Sequence, residues 1–450
     1  MHALRTETDY RSFALLALAV LLAYANALTG SFQFDDYNVI VDFPPVHDWQ
    51  AWYAHLNSGI RPLLKLSYTL NWTLSPLPFG FHALNLLIHL TNAWLVYRLA
   101  HCFIQHQTFP AQLRHAPLLA ALLFALHPIH TEAVSYISGR SSSLMTLFYL
   151  AALLAYVSGR MQRNAWRLYL WTPVFFLCAL ATKETAITLP AALLAWEYCC
   201  GGTWHTRIRA QWPVWLLAGI TILFFLSSAH YFHEMQRSAA HDSLQNNLAT
   251  RLYALSYLLR QWALPLWLNI DPALPSHPLL GDLLWPLLLF AILSGVILAC
   301  RTTRPWLSFA GIWLLLHLLP LYILLPRLDI ANEREMYLAG WPLFLVLAIE
   351  ISLWFEHRAR LVFATALLVL LGGLTLSRNF TYQDEISLWQ DTVRQSPNKA
   401  RVHNNLGMAY LAAQRYADAR QEFSFALKID PDFYRARYNL YRVDDEATLH

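Results

Sequence analysis

The sequence predicts an all-α protein: a polytopic membrane domain of about eleven transmembrane helices over residues 1–377, then a short helical repeat domain over residues 378–450. Three observations predict it. Of 450 residues, 57% are apolar and only 13% are charged, with 18 Trp and 24 Phe. Apolar runs recur along the first 377 residues at lengths that approach a bilayer crossing. Beyond Arg378 the chain turns polar and helical in period.

The apolar runs lie near 12–29, 81–100, 116–127, 142–158, 168–182, 186–200, 212–229, 283–300, 306–325, 338–355 and 360–376. The first follows Arg5 and Arg11, has no clear small-residue cleavage site after it, and reads as a retained signal anchor. Short basic loops stay on the cytoplasmic side of a membrane. They are Arg98–Arg114, Arg160–Arg167, Arg207–Arg209, Arg301–Arg304 and Arg358–Arg360. All stay inside if the segment 251–269 does not cross. That segment carries Arg251, Arg260 and Gln261 among Leu and Trp and is bounded by Pro265, which suits an interfacial helix. The N-terminus is then inside and the C-terminus outside. The five cysteines all fall in or beside apolar runs, so no disulfide framework is expected. The net charge of +4 says little about partners, and no nucleic-acid partner is expected.

In the tail, Leu406, Gly407, Tyr410, Ala419, Phe423, Ala426 and Pro431 sit at the spacing of a tetratricopeptide repeat, about Ala400 to Phe433. Trp389 to Pro397 and Tyr434 to Val443 read as partial neighbouring units. Such a stack can offer a peptide groove or simply cap the membrane domain.

On the topology above, the polar side chains collect on the outer face. Phe34-Asp35-Asp36-Tyr37 places two carboxylates against the first span, where desolvation is costly. It also has the composition of a turn. Arg61 closes the first outer loop after Gly59-Ile60, and a guanidinium there can hold a phosphate bidentately or snorkel to the interface. His82, Asn85 and His89 share one helical face. His127-Pro128-Ile129-His130-Thr131-Glu132 has two imidazoles and a carboxylate, a donor set that suits a divalent metal. His130 and Glu132 are two apart and do not share a helical face, so a polar ring around a headgroup fits better and no metal is required. Arg140 follows Gly139. Lys183-Glu184 interrupts a long apolar stretch, and Glu333-Arg334-Glu335 with Tyr337 precedes the tenth span. Arg61, Arg140, Lys183 and Arg334 are cations that can approach one outer cavity, as a lipid-linked phosphate requires. No Walker loop, dinucleotide glycine fingerprint or nucleophile elbow is present, which disfavours nucleotide-driven chemistry.

Six motifs in order resemble one family. They are Phe34-Asp35-Asp36, Arg61-Pro62-Leu63, Phe81 to His89, Leu126 to Val134, Lys183-Glu184 and Glu333 to Leu338. With the repeat tail, they are similar to the transmembrane and tetratricopeptide-repeat O-mannosyltransferases, over nearly the whole chain. The tail is much shorter than in eukaryotic members. The resemblance implies a GT-C fold, a polyprenyl-phosphate-linked sugar donor and an extracytoplasmic Ser/Thr acceptor protein, with Asp35 as general base and Asp36 beside it. A bacterial inner membrane with a periplasmic site is expected. An acceptor hydroxyl would attack the anomeric carbon in line while the lipid phosphate leaves, with inversion. Arg61, Arg334 and Lys183, in that order, are the expected phosphate ligands, with Arg140 a fourth. His82, His127, His130, Glu132, Glu184, Glu333 and Tyr337 are the expected pocket residues. Two rivals stay open: a ligase or polymerase of lipid-linked oligosaccharides, and a non-catalytic membrane scaffold that presents repeats to an envelope partner.

Overall fold

A computed structural model describes residues 2–56, 61–105, 110–200, 204–227, 244–275, 280–319 and 331–449. Gly59-Ile60, residues 228–243, Pro278 and the loop 320–330 lie outside the described residues. So does the end of the run 306–325. Among the described residues the chain is helical and contains no strand.

Helices occupy all eleven apolar runs. Among the described residues five are long and apolar enough to cross a membrane: Asp9–Thr29, Ile137–Gln162, Ile208–Ser227, Gly281–Ala299 and His357–Thr381. Two bent pairs raise this to seven if each is one span. Length and composition thus stop short of the eleven crossings expected. Pro78–Gln105 is long but carries His82, Asn85, His89 and Asn92 on its buried side. Pro305–Leu318 and Leu189–Cys200 are short. Leu244–Ala263, expected to lie along the membrane, packs Leu255 and Leu258 against Leu314, Leu318 and Met336.

Proline sets many of these starts. Pro62, Pro117, Pro173, Pro305 and Pro342 stand in the first turn of their helices, where a missing N–H costs nothing. Ala116–Leu126 is buried almost all round and forms the centre of the membrane core. A knot of Trp313, Trp341, Phe309 and Trp196 packs edge to face beside it.

The two bends position the polar motifs. Gln112–Leu126 turns through 54° into Pro128–Val134, and Glu333–Ala339 turns through 62° into Trp341–Trp354. Each break exposes backbone groups that a bilayer cannot satisfy, so the breaks face each other inside the protein. Gly139 closes this corner. A Cβ there would stand 2.0 Å from the carbonyl oxygen of Glu132, so only glycine fits.

The last apolar helix runs on to Thr381, past the boundary expected at 377. Asp384 then caps Glu385–Gln395 by accepting from the Ser387 N–H at 2.9 Å. Ala400–Ala412 and Tyr416–Ile429 pair closely because Gly407 has no side chain. A Cβ there would come within 2.6 Å of the Phe423 ring. Tyr434–Leu449 packs onto that pair. The tail docks on the membrane domain. Buried Asp271 receives Lys399 at 2.5 Å and Arg401 Nε at 2.8 Å. Leu388 and Trp389 share a core with Tyr136, Ile270 and Phe34.

Candidate active site

The Phe34-Asp35-Asp36 turn is held from two sides. Phe34 has φ 47°, a left-handed backbone that a bulky residue adopts only when its surroundings fix it. Its ring meets Trp389 of the tail edge to face, with centroids 5.0 Å apart. Gln33 donates to the Tyr382 carbonyl at 2.5 Å, and the Ser31 N–H donates to the Gln383 carbonyl at 2.9 Å. From the membrane domain, the Asp35 N–H donates to the Tyr136 hydroxyl at 3.0 Å.

The two aspartates differ. Asp36 is buried, at 1% exposure. One carboxylate oxygen accepts from the Gln33 N–H at 3.0 Å. The other accepts from the Ser138 N–H at 2.8 Å and from the Ser138 hydroxyl. Burial pushes its carboxyl up to about 7, the donors pull it back, and neighbouring Asp35 adds to the rise. Asp36 is therefore an anchor for the turn. Asp35 is half-buried, one position along from that anchor. The Tyr136 phenol is pushed well above its usual range by burial, so it stays protonated beneath the pair.

Asp35, Asp36 and Arg334 all lie within electrostatic reach of Tyr136. Arg334 comes from the second bend. Its N–H donates to Glu132 at 2.9 Å, and its Nε stands 3.5 Å from the same carboxylate, which is 1% exposed. Arg334 and Lys183 line one small cavity of about 40 Å³ with Glu335, Ser142, Thr185 and His317. Lys183 is buried and donates to Ser142 Oγ at 2.9 Å. Two expected cations thus share one cavity, and one of them, Arg334, shares electrostatic reach of Tyr136 with Asp35.

Other expected site residues have structural partners. Arg140 is a correction. Its guanidinium is fully buried and donates to Asn85 Oδ1 at 2.6 Å, the Ser67 carbonyl at 3.1 Å and the Phe81 carbonyl at 2.9 Å. It also lies over the Tyr68 and Phe81 rings. It joins three helices and offers no open face to a phosphate. Arg61 is bidentate on Glu184, at 2.7 and 3.0 Å. His82 bonds the Gly30 carbonyl at 3.2 Å.

The histidine motif does not close on a metal. His127 Nε2 donates to the Trp262 carbonyl at 3.0 Å, and Nδ1 accepts from Ile129. Glu132 turns to Arg334. His130 sits among the rings of Phe124, Tyr337 and Phe344. Among the described residues no group of three His, Cys, Asp or Glu is disposed to hold an ion. Tyr337 bonds His89 Nδ1 at 2.7 Å inside the core. Glu333 accepts from the Asn269 N–H, whose side chain reaches Ser396 of the tail at 2.8 Å.

Sequence reasoning missed Tyr136 and Ser138, which seat the aspartates, and Ser142, Thr185 and His317 in the cavity. A signal for the serines exists. Ser138, Ser141, Ser142 and Ser143 crowd the start of an apolar helix, where hydroxyls need a reason. Trp389 gave none, since it reads as an ordinary repeat aromatic.

No family model and no solved structure matches the chain. Curated proteins do. Protein O-mannosyl-transferase TMTC3 of Mus musculus is 26% identical over 517 residues, covering 97% of this chain and 53% of that protein. The chain is similar to protein O-mannosyl-transferases over nearly its whole length. Protein O-mannosyl-transferase F38B6.6 of Caenorhabditis elegans is 26% identical, covering 94% of this chain and 63% of that protein. Protein O-mannosyl-transferase TMTC1 of Mus musculus is 35% identical over 210 residues, 41% of this chain and 22% of that protein. The chain spans about half the length of the first of these relatives. The resemblance drawn from six motifs is met by proteins carrying that name.

Proposed function

We propose that the protein is a membrane glycosyltransferase that moves a sugar, mannose by analogy with its relatives, from a polyprenyl-phosphate carrier to Ser or Thr hydroxyls of proteins on the non-cytoplasmic side. One observation carries the reading: Lys183 and Arg334 line a single cavity, and Arg334 and Asp35 both lie within electrostatic reach of Tyr136. The acceptor oxygen attacks the anomeric carbon as Asp35 takes its proton. The bond from that carbon to the phosphate oxygen breaks, and its electron pair leaves with the carrier phosphate. The new bond forms on the opposite face, so configuration inverts.

The leaving phosphate is already an anion and needs positive charge more than a proton. Lys183 and Arg334 supply it. Arg61 takes no phosphate while its bidentate pair with Glu184 stands. Asp36 and Tyr136 hold Asp35 in place, and the tail, read as a tetratricopeptide repeat, presents the acceptor.

The test uses protein in nanodiscs with radiolabelled polyprenyl-phosphate-mannose and a Ser/Thr-rich peptide pool. Wild type is expected to label peptide and release carrier monophosphate. Asp35→Asn is expected to lose at least 100-fold in rate, within the roughly 10²–10⁴-fold span of general-base catalysis, with its fold retained. Equal labelling by both would remove Asp35 from the mechanism.

A further inference from the structure

A groove runs along the outside of the membrane domain, away from the candidate active site. Its walls are the first helix, Ala116–Leu126 and the last apolar helix His357–Thr381. Its volume is about 670 Å³, within the roughly 300–1,000 Å³ of ligand pockets, so its lining and not its size tells it apart. Leucines such as Leu18, Leu22, Leu122 and Leu368 line most of its length.

One end differs in kind. His115, His357 and Arg360 line it, and Arg114 lies within electrostatic reach of His115 together with both of the others. Among the described residues no carboxylate pairs with any of these four groups. Glu356 is the nearest acid in sequence; it is exposed and makes no side-chain cap bond. Arg114 and Arg360 carry like charge with no acid between them, which is unfavourable unless an anion joins them. The other end reaches Gly372 and Leu376, beside Thr375, whose hydroxyl bonds the Leu126 carbonyl at 2.7 Å. Arg360 and Thr375 are about 22 Å apart along one helix, at roughly 1.5 Å per residue. The groove therefore spans most of a hydrocarbon layer with its charge at one end.

Gly373 supports the same reading. A Cβ added there would meet nothing within 4 Å. The position lies within an apolar helix, where glycine is a poor helix former, and no protein packing requires it.

We propose that this groove holds an anionic diacyl phospholipid, with its phosphate among Arg114, His115, His357 and Arg360 and its chains along the leucines to Gly373. An apolar length with a cationic end matches a phospholipid in order and polarity. The site is separate from the cavity of Lys183 and Arg334 and does not depend on the reaction proposed for it.

Native mass spectrometry of the full chain tests it. The protein is equilibrated in nanodiscs of equal phosphatidylglycerol and phosphatidylcholine, then released into detergent. Wild type is expected to retain phosphatidylglycerol at least 10-fold over phosphatidylcholine. Gly373→Leu places a side chain in the groove from a Cβ that meets nothing within 4 Å and is expected to lose that retention. Arg114→Gln with His115→Gln is expected to bring the two lipids level while both still bind. Arg360 is left alone because it also donates to the Gln112 carbonyl at 3.1 Å. Equal retention by wild type, no retention, or unchanged retention in Gly373→Leu would each overturn the proposal. So would added polyprenyl phosphate that displaces the phosphatidylglycerol at equal concentration.

Discussion

Arg140 and Arg334 both stand beside bends at one end of the membrane domain, and their surroundings have opposite consequences. Arg140 is sealed: its guanidinium bonds one side-chain amide and two backbone carbonyls from neighbouring helices and lies over two rings. Arg334 stands 3.5 Å from Glu132, keeps about a fifth of its side chain exposed and lines a cavity with Lys183. A buried cation that has found all its acceptors is part of the frame. A cation at a cavity wall can be reached by an anion that enters the cavity. The difference lies in what each helix packs against, and local sequence does not record that.

The largest expected effect breaks the first half of this contrast. Arg140→Met strands Asn85 Oδ1 and the carbonyls of Ser67 and Phe81 in the core. A loss of about 3–5 kcal/mol is expected, seen as failure to recover monodisperse protein or a sharply lower Tm. A folded Arg140→Met with intact thermal stability would mean that the charge is not structural.

Asp271 is an intermediate case. It is buried, but its partners Lys399 and Arg401 are more than a quarter exposed. Water shares their charge, so Asp271→Asn is expected to cost about 1–2 kcal/mol. The readout is faster proteolysis between the last apolar helix and the repeat, with the membrane core unchanged. Resistance equal to wild type would show that Leu388 and Trp389 hold the tail without the ion pair.

The smallest effect is a pH dependence within the repeat. His403 meets Glu422 at 2.7 Å, and that bond raises its imidazole above the usual 6.5. A raised folded value means that the stabilisation is complete below 6.5. It is lost as pH climbs through the folded value. Amide exchange of Ala400–Ala412, corrected for its intrinsic rate, is expected to be slower at pH 6 than at pH 8. His403→Gln is expected to remove the difference.

The fold was legible where apolar length and turn chemistry act locally. All eleven runs carry helices over their described residues, and Gly407 against Phe423 followed from the repeat spacing. The crossing number was less legible. His82, Asn85, His89 and Asn92 lower the apolarity of a long buried helix without stopping it from forming. Within the candidate site, the Asp-Asp turn and the Lys183 and Arg334 motifs could be picked out because charge is rare in apolar stretches. Their sorting could not. Arg61 finds Glu184 across 123 residues, and Phe34 finds Trp389 only because the tail folds back over the first loop. Contacts of that range follow from packing alone.

The central claim is that the cavity of Lys183 and Arg334 receives the carrier phosphate. Equilibrium binding of radiolabelled polyprenyl-phosphate-mannose to nanodisc protein tests it most directly. Lys183→Gln and Arg334→Lys are the variants; Arg334→Lys keeps the charge beside Glu132 and loses the fork. A hydrogen bond to a charged group contributes about 1.5–3 kcal/mol, so each variant is expected to weaken binding by roughly 10- to 150-fold. Wild-type affinity in both would place the phosphate elsewhere and contradict the account.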